Sequence, residues 1–400
     1  MDPEDLWDYM AKYEEKTGGR VMSIAHNGNF SNGLMFDTKT LGGDPLTKAY
    51  AEQRMRFESL YEVTQQKGDT EAHSLLSPDD EFADFETMDK GNLNGTVAKT
   101  PDMLPREYAR EALKVGMRLE EELGANPFKF GMVGSTDNHT ALPTTREENN
   151  FSKASHVEPS ADRAKHALVK GAKPELSMME ADVGAAGLAA VWARENTRES
   201  IWDAMARKEV YATTGTRLLV RIFAGWDFEE EEVQRPDFAR TGYTRGVPMG
   251  GDLSSAPSGQ APKFMIRALR DPDGANLDRI QVIKGWLDGK GEIHERIYDV
   301  AVADGRKIDA DGRCKTPVGN TVDVADASYT NTIGDALLAA YWVDPDFEPG
   351  QKAFYYVRVL EIPTPRWTAY DAKFFGTTMP EGTSMQLQDR AYTSPIWYTP

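Results

Sequence analysis

The spacing of apolar residues at the start of the chain predicts a helix followed by a strand. Asp2 stands before Pro3 and a pair of acidic residues, which is typical of a helix start because Asp caps free N–H groups and proline fits the first turn. Apolar residues then recur at helical spacing until Gly18, which is expected to end the helix. The apolar run Val21–Ala25 predicts a buried strand that stops at His26.

Two further strands and a long helix continue this alternation. Ser59–Val63 and Phe128–Val133 are apolar runs of strand length, and both run into polar stretches. Between them, helical spacing predicts a helix from about Pro105 to Leu123, closed by Gly124. Helices and strands that alternate up to about residue 210 indicate an α/β fold.

The pattern changes after Trp226. An acidic run at residues 227–232 is expected to be a solvated loop or linker, because blocks of like charge repel each other. Beyond it, short apolar segments alternate with Pro and Gly turn signals, which predicts a mainly β, sandwich-like module. We therefore expect an α/β region over residues 1–225 and a β-rich module over residues 226–400, with the C-terminal segment returning to the first region. The predicted strands of the module are Lys263–Arg270, Arg279–Leu287, Ile293–Val302 and Ala353–Ile362.

Composition and charge exclude several classes of function. The chain has 400 residues with 40% hydrophobic content, so it can bury a sizeable core. Its formal net charge of −18 argues against nucleic-acid binding, which depends on basic side chains that neutralise phosphates. No apolar run is long enough to span a bilayer, and the first residues do not resemble a signal peptide, which leaves cytoplasm and periplasm both open. A single cysteine excludes a cysteine-based zinc cage, so metal ligands are expected to be His, Asp and Glu.

The predicted parallel strands end in residues that can bind a metal ion. Reactive side chains of α/β folds gather at the carboxyl ends of the strands, where the loops converge. Residues two apart in an extended segment point to the same side, so Asp137 and His139 can present a carboxylate and an imidazole to one ion. Such an ion could activate a water molecule for hydrolysis. The expected metal ligands are His26, Glu62, Asp137 and His139, of which His26, Asp137 and His139 are the catalytic candidates, with Asn27 and Asn29 beside them as candidates for substrate binding.

Each of these residues also has an ordinary structural interpretation. His26 could hydrogen-bond only its own loop, and Asp137 could cap a turn. Glu62 could face solvent at a sheet edge, because unpaired buried carboxylates are rare. The remaining histidines lack partners at metal-binding spacing and are expected on the surface: His73, His156, His166 and His294.

Three arginines are candidates for binding an anionic substrate. Arg217 and Arg221 adjoin the segment Thr213–Thr216, where planar guanidinium groups could clamp an anion, although they could equally pair with the acidic surface. Arg366 follows two prolines in a stiff loop, from which it could reach the same site or stack on Trp367.

Several segments spread over the chain resemble one known family, the bacterial domain of unknown function numbered 3604. That family is considered related to the PHP (polymerase and histidinol phosphatase) superfamily of metal-dependent hydrolases. The matching segments are Ala25–Asn29, Gly134–His139, Tyr211–Arg217, Phe354–Val359, Ile362–Trp367 and Thr393–Tyr398.

The resemblance implies a distorted βα barrel of PHP type with metal ions at its strand ends. His26 matches the family's middle His, Asp137 and His139 match its late Asp-x-His pair, and Glu62 is the best match for its Glu. The early His-x-His and Asp-His have no match, so we expect an incomplete barrel that lacks an N-terminal segment, with open strand edges to which a second copy of the chain could pair.

The expected function is hydrolysis of a phosphoester or a related anionic ester. The resemblance implies a divalent cofactor, which could be zinc, manganese or iron, and a small anionic molecule as substrate. The alternative is a non-catalytic remnant, or a protein that binds a ligand or a partner.

Overall fold

The first helix forms where its capping residues predict it in the computed structural model, which describes residues 2–156, 160–184 and 186–400. The backbone N–H of Glu4 donates to Asp2 Oδ1 over 3.1 Å, and Gly18 ends the helix with a φ of 68°. None of the helices in these ranges is long and apolar enough to cross a membrane. The helices are α1 (Pro3–Thr17), α2 (Lys48–Phe57), α3 (Ala109–Leu123), α4 (Arg198–Ala206), α5 (Phe238–Arg245) and α6 (Trp367–Phe375).

A small, mostly parallel sheet follows the predicted strands of the α/β region. Its strands are β1 (Ile24–Ala25), β2 (Leu60–Gln65), β3 (Gly68–Asp69) and β4 (Gly131–Gly134). Strand β2 pairs in parallel with β1 and with β4, and it forms a tight antiparallel hairpin with β3. The mixed α/β class is confirmed. The described residues contain no closed barrel, because β1 and β4 do not pair with each other.

The C-terminal half consists mainly of two larger sheets. One sheet has the order β10-β9-β12-β15, and the other runs β11-β20-β16-β19-β8-β7, with β13 paired to β16 and β14 paired to β13. Two further pairs of strands form separate two-stranded ribbons, β5 (Ala167–Val169) with β6 (Met178–Met179) and β17 (Thr364–Pro365) with β18 (Gln386–Leu387). The strands of the two larger sheets are β7 (Leu188–Val191), β8 (Val210–Thr213), β9 (Leu219–Gly225), β10 (Gly246–Pro248), β11 (Asp252–Ser254), β12 (Lys263–Leu269), β13 (Leu277–Leu287), β14 (Ile293–Val302), β15 (Leu337–Val343), β16 (Lys352–Glu361), β19 (Arg390–Thr393) and β20 (Ile396–Thr399).

These two sheets pack against each other through a shared apolar core. Ile222 and Phe264 of the smaller sheet belong to the same buried cluster as Val282 and Val357 of the larger one. The four strands predicted for the β-rich module are confirmed to within one or two residues. Strand β19 pairs with β8, so the larger sheet crosses residue 226, and the predicted division into two domains stays a prediction.

A second core joins the α/β region to the larger sheet. Trp7 of α1, Leu113 of α3 and Met132 of β4 share a buried cluster with Phe354 and Tyr356 of β16. Helix α3 therefore packs against the parallel sheet and against one face of the larger sheet. The opposite face of the larger sheet packs against the sheet of β10, β9, β12 and β15. Burial of these large side chains contributes much of the stability of the α/β region.

A buried network of four charged side chains crosses the same interface. Arg110 of α3 contacts Glu71 at 2.6 Å and Asp80 at 2.8 Å, and Arg358 of β16 contacts Asp80 at 2.6 Å and Glu71 at 3.2 Å. None of the four is more than 5% exposed. Burial alone would raise the pKa of Asp80, but the two guanidinium charges hold it well below its usual range.

The acidic run and His73 are both less exposed than the sequence predicts, because each has an ion-pair partner in another segment of the chain. The acidic run includes a short 3-10 turn, Glu230–Gln234, in which Glu232 is buried and pairs with Arg245. His73 is only 5% exposed, and its Nε2 lies 3.1 Å from Asp89 Oδ2, so its predicted surface position is wrong.

Replacing Arg358 by methionine is expected to lower the free energy of unfolding by about 3–5 kcal/mol, because Glu71 and Asp80 would keep buried charges with one partner fewer. Urea denaturation followed by circular dichroism measures this change. The control is Arg20→Met, since Arg20 pairs with Asp203 at an exposed site and its loss should cost under about 1 kcal/mol. A loss for Arg358→Met as small as that of the control would contradict the assigned role of the network.

Asp69, at the end of the β2–β3 hairpin, makes stability depend on pH. Burial, followed by the charge of Glu71, raises the pKa of Asp69 to about 7, so the folded state holds a proton that the unfolded state has released. The resulting stabilisation is complete below the unfolded pKa near 3.8 and is lost as the pH rises through about 7.

Asp69→Asn should therefore flatten the fall in unfolding free energy between pH 4.5 and 7, by up to about 1.4 kcal/mol per pH unit. Urea unfolding at several pH values in that window measures the slope. Asp203→Asn, at an exposed ion pair, is the control and should keep the wild-type slope. Equal slopes in wild type and Asp69→Asn would show that Asp69 does not hold this proton.

Candidate functional site

The carboxyl ends of β1, β2 and β4 converge on one group of polar side chains. Glu62 alternates along β2 with Tyr61 and Val63, which point into the core, so its carboxylate lies on the opposite face. Glu62 Oε1 accepts a hydrogen bond from Gln65 Nε2 over 2.8 Å, and Oε2 accepts one from the Ser135 hydroxyl. Glu62 thus joins the loop that follows β4 instead of facing solvent alone.

The start of the loop after β4 is fixed by close packing at the last residue of the strand. A Cβ atom at Gly134 would lie 2.9 Å from the carbonyl oxygens of Leu188 and Thr213, so only glycine fits between β7 and β8 here. Three residues later, Asp137 has a φ of 47°, a left-handed conformation that Asp tolerates better than most residues. This geometry turns the Asp137 carboxylate back towards the end of β2.

Asp137 and His139 contact each other, although Asp137 is not in the extended conformation on which their predicted alternation depends. His139 Nε2 lies 3.1 Å from Asp137 Oδ1, and the imidazole is largely exposed. The positive charge of Lys153, then burial and the charge of Lys67, lower the pKa of His139. A neutral imidazole is the form that can bind a metal ion.

Two buried lysines also reach this carboxylate, and the sequence did not indicate them. Lys67 lies in the turn of the β2–β3 hairpin, and Lys153 lies in the long loop after β4, yet their side chains are only 8% and 3% exposed. Both ammonium groups contact Asp137 Oδ2, that of Lys153 at 2.9 Å. Burial, reinforced by Lys153, lowers the pKa of Lys67 to about 7, and burial lowers the pKa of Lys153 to about 8.

One ion pair in this group lacks good hydrogen-bond geometry. Asp137 Oδ2 and Lys153 Nζ are both shielded from solvent, and within the described ranges neither makes a hydrogen bond, although they lie 2.9 Å apart. Buried polar atoms without hydrogen bonds are uncommon and mark positions where a further ligand can bind.

The loop after β1 supplies the remaining residues predicted for the site. Asn27 has a φ of 64°, and its Oδ1 accepts a hydrogen bond from Gln65 Nε2 over 3.2 Å. His26 is exposed, and its side chain makes no hydrogen bond to the described residues. Asn29 is buried and donates to the carbonyl oxygens of Lys67 and Met88, which holds the hairpin turn against this loop.

The four predicted metal ligands do not form a closed shell. No three of His26, Glu62, Asp137 and His139 bring ligand atoms within 4.8 Å of one another in the described part of the chain, where that criterion is met by Asp288, Glu292 and His294 instead. In that second group, Asp288 Oδ1 accepts from the backbone N–H of Lys290 and Glu292, and Oδ2 lies 3.0 Å from His294 Nε2. These contacts stabilise the turn between β13 and β14 without any ion.

Two of the three candidate arginines are held away from the strand ends. Arg221 of β9 stacks on Trp192 at 4.2 Å and donates to the Tyr243 hydroxyl over 2.6 Å. Arg366 is 2% exposed and forms a two-pronged pair with Glu86 at 2.8 and 2.9 Å. Their predicted role in substrate binding gains no support from these contacts and stays a prediction.

Arg217 lies at the edge of a separate, acidic cavity of about 320 Å³. Glu361 and Asp389 line this cavity, and burial raises the pKa of Glu361 well above its usual range and that of Asp389 to about 6. Three further carboxylates line the cavity, those of Glu148, Asp271 and Asp273, and they disfavour an anionic ligand because like charges repel. The group at the strand ends, with its two lysines, is therefore the better candidate for anion chemistry.

Comparison with curated protein sequences found no significant match. A family model described as "Protein of unknown function (DUF3604)" matches residues 1–400, the full length of the sequence. The chain belongs to this family.

Proposed function

We propose that this protein hydrolyses a phosphoester or a related anionic ester at the carboxyl ends of β1, β2 and β4. The observation that carries the proposal is the convergence of Glu62, Asp137 and His139 with two buried lysines at this edge of the sheet. Loops at this end of parallel strands are the usual location of active sites in α/β folds. The resemblance to PHP-type hydrolases, which bind metal ions at strand ends, supports the choice of this location.

The residue types at this edge are ones that bind divalent metal ions, although no three of their ligand atoms lie within 4.8 Å of one another in the described part of the chain. Two carboxylates and one imidazole are common ligands of zinc, manganese and iron. Glu62, Asp137 and His139 would hold such an ion, with His26 in the adjoining loop. When bound, the ion would lower the pKa of a water molecule and so provide hydroxide near neutral pH.

The protein's own residues orient the carboxylate of Glu62. Gln65 bridges Glu62 Oε1 and Asn27 Oδ1 with hydrogen bonds of 2.8 and 3.2 Å, and Ser135 binds the other oxygen. Because these partners come from three different strand ends, the Glu62 carboxylate has one preferred orientation. Such secondary contacts often change metal affinity by about 10- to 100-fold.

Asp137→Asn and His139→Ala are expected to lower the affinity for zinc or manganese by roughly 100-fold or more, since each removes a direct ligand. Elemental analysis of the purified chain and metal titration measure this effect. The matched controls are Asp162→Asn and His166→Ala, two exposed residues outside the site, which should bind metal like the wild type.

Hydrolysis is tested with p-nitrophenyl phosphate and its bis-ester after metal reconstitution. The wild type should release nitrophenol, and Asp137→Asn should be slower by at least about ten-fold, while the two controls keep full activity. A wild type that stays free of metal and inactive after reconstitution would contradict the proposal. It would favour the alternative, a non-catalytic protein that binds a ligand or a partner.

A further inference from the structure

Two ammonium groups share a single carboxylate oxygen at the strand ends. Lys67 Nζ and Lys153 Nζ both face Asp137 Oδ2, and both side chains are more than nine-tenths buried. The other carboxylate of the group, Glu62, already accepts hydrogen bonds from the neutral donors Gln65 and Ser135. The local arrangement therefore has two cations around one anionic oxygen.

Lys153 shows most clearly that an acceptor is missing. Its Nζ is shielded from solvent and makes no hydrogen bond within the described ranges, although an ammonium group carries three donors. A buried donor without an acceptor loses its hydrogen bond to water and gains none in return. Since water does not reach the atom, a ligand with several acceptor oxygens would remove this cost.

Both lysines are held in place by their own backbones. The N–H of Lys67 donates to Gln65 Oε1 over 3.1 Å, and its carbonyl accepts from Asn29 Nδ2 over 3.0 Å. The N–H of Lys153 donates to Glu180 Oε1 over 2.9 Å. Because the anchors are already formed, little conformational entropy remains to be lost when a ligand binds between the two ammonium groups.

We propose that Lys67 and Lys153 form an anion clamp that binds the oxyanion of the ligand, with Asp137 as their counter-ion when no ligand is bound. A phosphoryl or carboxylate group offers each ammonium group its own oxygen, which Asp137 Oδ2 alone does not. The clamp rests on the proposed function because it lies in the same site, and it assigns the two lysines as positioning residues for the anionic part of the substrate.

The test uses the full chain after removal of metal with a chelator, and inorganic phosphate as the probe. Isothermal titration calorimetry should give one phosphate per wild-type chain, and Lys67→Met and Lys153→Met should each weaken binding by about 10- to 100-fold, as expected for a lost charged hydrogen bond. Lys165→Met, at an exposed pair with Asp162, is the control and should stay within about two-fold of wild type. Binding that is unchanged in both site variants, or absent in the wild type, would overturn the clamp.

Acetate in place of phosphate separates the two sources of the oxyanion. Tighter binding of phosphate than of acetate indicates a phosphoryl group, and the reverse indicates a carboxylate. Either ligand must lose affinity in the two site variants for the clamp to stand.

Circular dichroism establishes that each variant is folded. If a variant does not fold, crystals of the wild type soaked in tungstate, a tetrahedral oxyanion with strong anomalous scattering, replace it. Tungstate within hydrogen-bond distance of both Nζ atoms supports the clamp, and its absence there contradicts it.

The clamp and the hydrolase can fail separately. Phosphate binding that depends on both lysines, in a chain that never binds metal or hydrolyses an ester, would keep the clamp and reject the hydrolase. Metal-dependent hydrolysis with phosphate affinity unchanged in Lys67→Met and Lys153→Met would keep the hydrolase and reject the clamp.

Discussion

The buried network of Arg110, Arg358, Glu71 and Asp80 fixes how the two halves of the molecule meet. Two guanidinium groups and two carboxylates lie where water does not reach them, so each charge depends on the others for its solvation. The apolar cores on either side would tolerate small shifts of α3 against the larger sheet, because hydrophobic contacts are not directional. Hydrogen bonds between ions are directional, and they therefore allow one register between α3 and β16.

The candidate site depends on this network through a short stretch of chain. Glu71 follows the β2–β3 hairpin directly, and the first N–H groups of α3 donate to the carbonyl oxygens of Thr70 and Glu71 over 2.8 and 3.0 Å. The turn of that hairpin carries Lys67, and Asn29 ties it to the loop after β1. The interface between the two halves thus positions the β2–β3 hairpin and its Lys67. The loop after β4 adds Asp137 and His139 to the same site.

Two unlike charge environments lie in the molecule. At the strand ends, the ammonium groups of Lys67 and Lys153 accompany the carboxylate of Asp137. The cavity near Arg217 is lined by Glu361 and Asp389, whose pKa values are raised by burial and, for Glu361, also by the charge of Asp389. In a chain with a formal net charge of −18, two buried lysines side by side provide positive charge that can attract an anion.

The sequence by itself determined α1, α3 and the strands β2, β4, β12, β13, β14 and β16, because capping and hydrophobic spacing act within a few residues. It did not determine that β1 is only two residues long, that His73 is buried, or that Arg366 pairs with Glu86. It gave no sign of Lys67 and Lys153, since a lysine in a polar loop is normally solvated. Only the tertiary structure decided these points, because the burial and pairing of a charged side chain depend on partners far away along the chain.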